Sequence, residues 1–200
     1  MPNALTSGLL SARVGKWWFK NRSLSPVPLF LLIVFLPGNF VPSFEVFSLA
    51  LAGAVVAEAI RLWAVGYAGS ATRTRGDTVP ELVTSGPYRF VRNPLYIANI
   101  LLYTSCSVLF GFTFLTVFVF FYSCVQYSFI VSYEEDLLAR SFGSQYRYYA
   151  EGTPRWFAFT RALYPPSGHT FSLMRSIRSE RSTLLLIVVM GVALWIKRMF

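Results

Sequence analysis

Residues 93–133 read NPLYIANILLYTSCSVLFGFTFLTVFVFFYSCVQYSFIVSY, from Asn93 to Tyr133, without a single Asp, Glu, Lys or Arg. A bilayer core is about 30 Å thick and a helix rises about 1.5 Å per residue, so one crossing takes about 20 largely apolar residues. This stretch is long enough for two crossings, and Gly111 near its middle is the natural turn. The spacing predicts a tight antiparallel hairpin that leaves one membrane surface and returns to it. Asn93, which opens the stretch, and Glu134-Glu135, which close it, then become neighbours.

Outward from the hairpin, three more apolar runs appear. Ser23 to Phe44 carries no charge, with Pro26 and Pro28 near its start and Pro37 and Pro42 at its far end. Val46 to Gly66 is the second, and it contains Glu58 and Arg61 three residues apart, on neighbouring faces of one helix. Two readings of that pair stand side by side, an ion pair inside the membrane and an Arg61 that snorkels to the interface. The last run, Ser182 to Ile196, falls short of a full crossing unless flanking residues join it. The expected fold is therefore all-α, one integral membrane helical bundle over residues 1–200. It has about five transmembrane helices, the fifth at 182–197.

Composition agrees. Charged residues are 14 %, against roughly 25 % in soluble domains, and hydrophobic residues are 54 %. Phe (19), Tyr (11) and Trp (5) suit rings anchored at the membrane–water interface. The net charge of +9 is spread as punctuation between the apolar runs: Arg13 to Arg22 before the first, Arg73 to Arg92 between second and third, Arg140 to Arg181 after the hairpin. Positive-inside topology produces this pattern, whereas nucleic-acid binding gathers charge on one soluble face. With a basic, cytoplasmic N-terminus, the polar segments 67–92 and 134–181 both fall on the cytoplasmic side. The first apolar run ends in Pro37-Gly38-Asn39 without a cleavage pattern, so it reads as a retained helix rather than a secretory signal. Cys106 and Cys124 lie in apolar stretches and read as small buried hydrophobes. No His/Cys cluster has metal-ligand spacing.

The densest chemical signal is Ser85-Gly86-Pro87-Tyr88-Arg89-Phe90-Val91-Arg92-Asn93-Pro94-Leu95-Tyr96. Gly86-Pro87 forces a turn, Asn93 reads as an N-cap and Pro94 as a first helical residue. The loop thus brings Tyr88, Arg92, Asn93 and Tyr96 to the mouth of a helix whose open N–H groups favour an anionic group. The plainer alternative is an ordinary capped helix start with interfacial Tyr and Arg. The second signal is Glu134-Glu135-Asp136 directly after the apolar helix, followed by Phe142-Gly143, Tyr146, Tyr148-Tyr149 and Pro154-Arg155. Acids at a helix C-terminus oppose its dipole, so stability alone does not ask for them there. Their plainer reading is a solvated face balanced by Arg140. His169, the single histidine, sits in a Pro165-Pro166-Ser167-Gly168 loop and reads as a surface residue. Arg155 is a candidate for a substrate headgroup or a lipid phosphate.

Taken together, Leu82-Val83-Thr84-Ser85-Gly86-Pro87-Tyr88, Arg92-Asn93-Pro94-Leu95-Tyr96, Glu134-Glu135 and Phe142-Gly143-x-x-Tyr146 resemble the isoprenylcysteine carboxyl methyltransferase and phospholipid methyltransferase superfamily, with its many bacterial members. Val14-Gly15-Lys16-x-x-Phe19 and Arg61-x-Trp63-Ala64 add weaker support, and the likeness spans about residues 14–160. The resemblance implies an enzyme of a bacterial inner membrane, with its active site facing the cytoplasm, that transfers a methyl group from S-adenosylmethionine to a lipophilic acceptor. Leu82, Val83, Tyr88, Asn93, Pro94, Tyr96 and Glu134 would then hold the cofactor, and Arg92, Glu135 and Arg155 would serve the reaction. The partners expected are a lipid-like substrate and membrane lipids, with no nucleic acid and no obligate protein.

Two departures stand out. Asn93 replaces the family's usual His and cannot titrate near neutral pH, so it reads as a cofactor contact rather than a base. Ile130 stands where prenylcysteine enzymes carry a substrate-binding arginine. A carboxylate or thiolate nucleophile needs no base, while an amine must arrive deprotonated, with Glu135 or a tyrosine as helper. Two rival readings remain, an NADPH-dependent sterol-type reductase sharing the Arg-x-Pro-x-Tyr loop, and a non-catalytic membrane scaffold.

Overall fold

The computed structural model describes residues 13–22, 24, 27–36, 38, 40–69, 79, 81–157 and 164–199. Regular structure among them is helical throughout. A helical stretch at 13–20 is followed by α1 (Val27–Phe35), α2 (Phe44–Ala68), a 3-10 turn (Gly86–Arg89), α3 (Pro94–Leu109), α4 (Phe114–Phe142), α5 (Ser144–Gly152) and α6 (Leu173–Met199).

The uncharged stretch folds back on itself as α3 and α4. Gly111 makes the turn at φ +78°, a conformation that glycine adopts without strain. A Cβ there would also collide with the carbonyl of Phe40. The Phe40 N–H donates to Gly111 O (3.2 Å), so the α1–α2 connection is stitched to the hairpin turn on the same side. Ser43 caps α2, its hydroxyl accepting from the Val46 N–H at 3.4 Å.

Three helices are long and apolar enough to cross a membrane: α2 with 25 residues, α4 with 29, and α6 over Leu173–Ile196. α3 (16 residues) and α1 (9 residues) are apolar but shorter than the usual span of about 20. The five expected crossings thus resolve into three full-length helices and two shorter ones. Ser23, Pro26 and Pro37 lie outside the described residues. The last helix is longer than the uncharged run predicts, because Arg175, Arg178, Glu180 and Arg181 continue it for more than two turns. Arg and Glu are good helix formers, so charge ended the apolar run without ending the helix.

α2 and α3 share the largest helix–helix interface. Ala57, Ala64 and Ala98 are fully buried there, small residues that let two backbones approach closely where lipid offers no hydrophobic drive to association. Large apolar side chains point outward instead; Leu49, Phe114 and Val188 are all more than half exposed, as befits a surface solvated by acyl chains. α6 docks on the end of α2: Ser176 Oγ donates to Leu62 O (2.7 Å), Ser172 N–H to Gly66 O (3.1 Å) and Arg175 Nη1 to Gly66 O (3.3 Å).

Between α2, α3 and α6 lies a buried ionic cluster. Arg61 Nε is 3.1 Å from Glu58 Oε2, its Nη1 donates to Asn99 Oδ1, and its Nη2 donates to Glu180 Oε2 and to Thr183 Oγ1 (3.1 Å). Of the two sequence readings of Arg61, the inward ion pair is the one observed.

Candidate functional site

The loop before α3 is shaped by contacts on both sides. Gly86 at φ +62° packs its backbone flat against Tyr67, where a Cβ would strike the ring. Pro87 then opens the 3-10 turn, leaving Tyr88 directed inward. The Tyr149 hydroxyl of α5 donates to Tyr88 O (2.7 Å), and the Arg92 N–H donates to Pro154 O (2.9 Å). Residues 82–93 are thereby pinned to residues 149–155, although far apart in sequence.

Asn93 occupies the N-cap position of α3 but its side chain does not cap the helix. Its Nδ2 donates instead to Glu135 Oε1 (3.3 Å) and Arg155 O (3.2 Å). The buried Glu135 carboxylate needs donors, and that need outweighs local capping. The N-cap expectation therefore holds for position and fails for side-chain role.

The acidic triplet also departs from expectation. α4 runs on to Phe142, so Glu134, Glu135 and Asp136 lie within the helix rather than beyond its end. Successive residues turn about 100°, and the three acids meet three environments. Asp136 is the solvated one, paired with Arg140 at 2.9 Å with both side chains more than half exposed. Glu135 is buried and saturated. Arg155 Nε and Nη2 donate to its Oε2 (3.0 and 2.5 Å), while Asn93 Nδ2 and Arg92 Nε (3.4 Å) face its Oε1. Glu134 receives the Tyr96 hydroxyl at 2.7 Å and otherwise borders open space.

That space is a cleft of about 700 Å³, counting the part open to solvent. Leu82, Val83 and Tyr88 form one wall; Asn93, Pro94 and Tyr96 the floor; Glu134 and Glu135 the other wall, with Arg92 at the edge. Arg155 stands behind Glu135 rather than on the lining. Every residue singled out for cofactor contact thus meets in one place, and the hairpin does bring Asn93 and Glu134 to one surface. The segments Leu82 to Tyr96 and Glu134 to Arg155, from which the sequence builds the pocket, supply most of the lining, Leu138, Tyr146 and Tyr149 included; Ala68, Val79 and Glu81 lie outside both and were not foreseen.

Burial, followed by the charge of Glu134, raises the Tyr88 phenol above its ordinary range. Burial and then Glu135 raise Tyr146, and burial and then Tyr146 raise Tyr149. All three rings are therefore protonated donors at neutral pH, not bases. Ile130 is fully buried among Phe19, Tyr127 and Tyr133, leaving an apolar contact where a substrate-binding arginine would stand. No group of three His, Cys, Asp or Glu able to hold a metal occurs among the described residues.

Comparison with known families now bears on this geometry. A family model described as phospholipid methyltransferase matches residues 46–145, half of the chain and both walls of the cleft. The chain belongs to the phospholipid methyltransferase family. No curated protein and no solved structure matches it. As a phospholipid methyltransferase family member it is a membrane protein of a methyltransferase family, and most of α2 with all of α3 and α4 is the family's part of it. Arg155, Tyr146, Tyr149 and all of α6 lie beyond the matched stretch.

His169, expected to be an isolated surface residue, is mostly covered. Its Nε2 is 2.9 Å from Glu81 Oε2 and its Nδ1 is 2.7 Å from Ser167 Oγ. Glu81 comes from the cleft wall, a partner that spacing along the chain could not reveal.

Proposed function

We propose that this protein transfers a methyl group from S-adenosylmethionine to a lipophilic acceptor whose headgroup reaches the cytoplasmic face of the membrane. The observation that carries the reading is the unequal treatment of two adjacent carboxylates. Glu135 is held between two guanidinium groups, whereas Glu134 faces the cleft with Tyr96 alone donating to it among the described residues. A carboxylate so placed suits a sulfonium or ammonium group, and Arg92 beside it suits a carboxylate. One small zwitterionic cation fits such a bipolar cleft, and the protonated Tyr88 and Tyr146 hydroxyls add donors.

S-adenosylmethionine supplies an electrophilic methyl carbon when bound. The chain's own residues do the rest by position. Glu134 and Tyr96 fix the cationic end, and the Tyr88 ring with Leu82 and Val83 covers one side and excludes water. Arg92 and Arg155 hold Glu135 rigid, so in this reading Glu135 positions two guanidiniums and takes no proton, because its lone pairs are already engaged. An in-line displacement needs alignment of nucleophile, methyl carbon and sulfur more than acid–base help. The site therefore favours an acceptor that arrives already nucleophilic, such as a carboxylate, a thiolate or a neutral amine.

Titration of the detergent-purified chain with S-adenosylhomocysteine and, separately, NADPH tests this reading. Saturable binding of the first alone is the expected result. Binding of NADPH alone would reassign the cleft to a reductase, and binding of neither would leave a scaffold.

A further inference from the structure

The segment between α5 and α6 makes a set of contacts that the fold alone does not require. Residues 165–168 are exposed, yet each polar group reaching inward from the 164–169 segment meets the backbone or side chains of residues 81–85. The Thr84 N–H donates to Ser167 Oγ (3.0 Å), Thr84 Oγ1 donates to Pro165 O (3.0 Å), and Ser85 Oγ lies 3.2 Å from Ser167 Oγ. His169 Nε2 reaches Glu81. His169 Nδ1 lies 2.7 Å from Ser167 Oγ, the same oxygen that accepts from the Thr84 N–H. Glu81, Thr84 and Ser85 thus share one bonded chain with Ser167 and His169.

The clipped stretch forms a wall of the cleft, since Glu81, Leu82 and Val83 line it. At the other end Tyr164 rests on Tyr149, ring centroids 5.3 Å apart, and Tyr149 lines the cleft as well. Apart from Tyr164, the segment is held by polar contacts from exposed residues onto the buried Thr84 and Ser85 rather than by buried apolar area of its own, which is the composition of an element that opens locally before the bundle does. Gly168, at φ +76°, has open space where a Cβ would stand, so its conformation and not crowding selects glycine.

We infer that residues 164–169 form a latch over the cofactor cleft, with Ser167 and His169 as positioning residues that hold the 81–85 wall shut and set the rate at which the cofactor exchanges. The inference rests on the methyltransferase reading for the identity of the ligand, but not for the existence of the latch. Opening breaks the His169–Glu81 and Ser167–Thr84 contacts together and swings that wall away from Tyr88. Closing restores a wall without contributing any group to the reacting atoms.

The test uses the full chain in detergent and reads two quantities. The first is the rate at which bound S-adenosylhomocysteine is released and rebound. His169→Ala removes both ring contacts, so release and association should each quicken by roughly thirtyfold, the equivalent of two hydrogen bonds of about 1 kcal/mol. Joining Glu81→Cys to His169→Cys with a short thiol-reactive linker, in a chain whose Cys106 and Cys124 are replaced by alanine, should slow both rates by at least as much. The second is hydrogen exchange at the Thr84 amide, which needs no ligand. His169→Ala leaves the acceptor of that amide in place, so faster Thr84 exchange reports opening of the latch itself. Unchanged Thr84 exchange in His169→Ala overturns the latch. Faster exchange with unchanged ligand rates overturns its role in cofactor traffic. Failure of the native chain to bind S-adenosylhomocysteine, with Thr84 exchange still responsive, refutes the methyltransferase reading and spares the latch.

Discussion

Two ionic centres in this molecule use nearly the same parts and do different things with them. In the interior, Glu58 and Glu180 flank Arg61 between α2, α3 and α6, with Asn99 and Thr183 completing the shell. At the cleft, Glu134 and Glu135 stand with Arg92 and Arg155, and Asn93 and Tyr96 complete the shell. The interior centre has one guanidinium shared by two carboxylates and enclosed by the protein. The cleft centre spends two guanidiniums on Glu135 and leaves Glu134 open to the cleft. Similar residue types therefore make a rivet in one place and, on the proposed reading, a receptor in the other, and what separates them is whether a carboxylate is left facing space. Buried ionic groups cost free energy to desolvate and are retained for structure or function.

Removing Arg61 should have the largest effect, because two carboxylates then stay buried without their shared partner. Arg61→Ala is expected to lower stability by about 3–5 kcal/mol, read as thermal unfolding in detergent. If Glu58→Gln and Glu180→Gln are added and stability does not recover, the cluster is not the rivet described here. Next comes Glu134→Gln, which should weaken S-adenosylhomocysteine binding by roughly 10- to 100-fold, as expected for losing one charge-assisted contact of about 1.5–3 kcal/mol. Affinity within threefold of the native value would remove Glu134 from the receptor. Tyr96→Phe deletes one donor to that carboxylate and should cost about 1 kcal/mol, a roughly fivefold weaker complex in the same titration. Smallest of all, Asp136→Asn breaks an exposed pair with Arg140 and should change unfolding by less than about 0.5 kcal/mol. A larger loss there would mean that the outward acid has a partner besides Arg140.

Much of this was legible in the sequence, for identifiable reasons. The hairpin followed from an uncharged length and one central glycine, and the cleft followed from what the hairpin must bring together. Reading Glu134, Asn93 and Tyr96 as neighbours needed only that topology. Side-chain direction was not legible. Asn93 turned from its expected cap toward Glu135 because a buried carboxylate 42 residues away needed its amide, which also reaches a carbonyl 62 residues away. The extent of α6 was misjudged because charged residues were taken as the end of a membrane helix, while Glu180 had an inward partner in Arg61. His169 looked isolated for a similar reason, its partner Glu81 being supplied by tertiary folding alone.

α4 continues for eight residues past Glu134, about 12 Å of helix, whereas α3 begins only two residues before Tyr96. The cleft accordingly lies between a helix that runs on well past it and one that starts beside it, a tall back wall and a low front step. On the proposed reading, a long-tailed acceptor would lay its head across that step while its tail stayed among the apolar helix faces, so catalysis would ask for a tilt of the acceptor rather than its extraction.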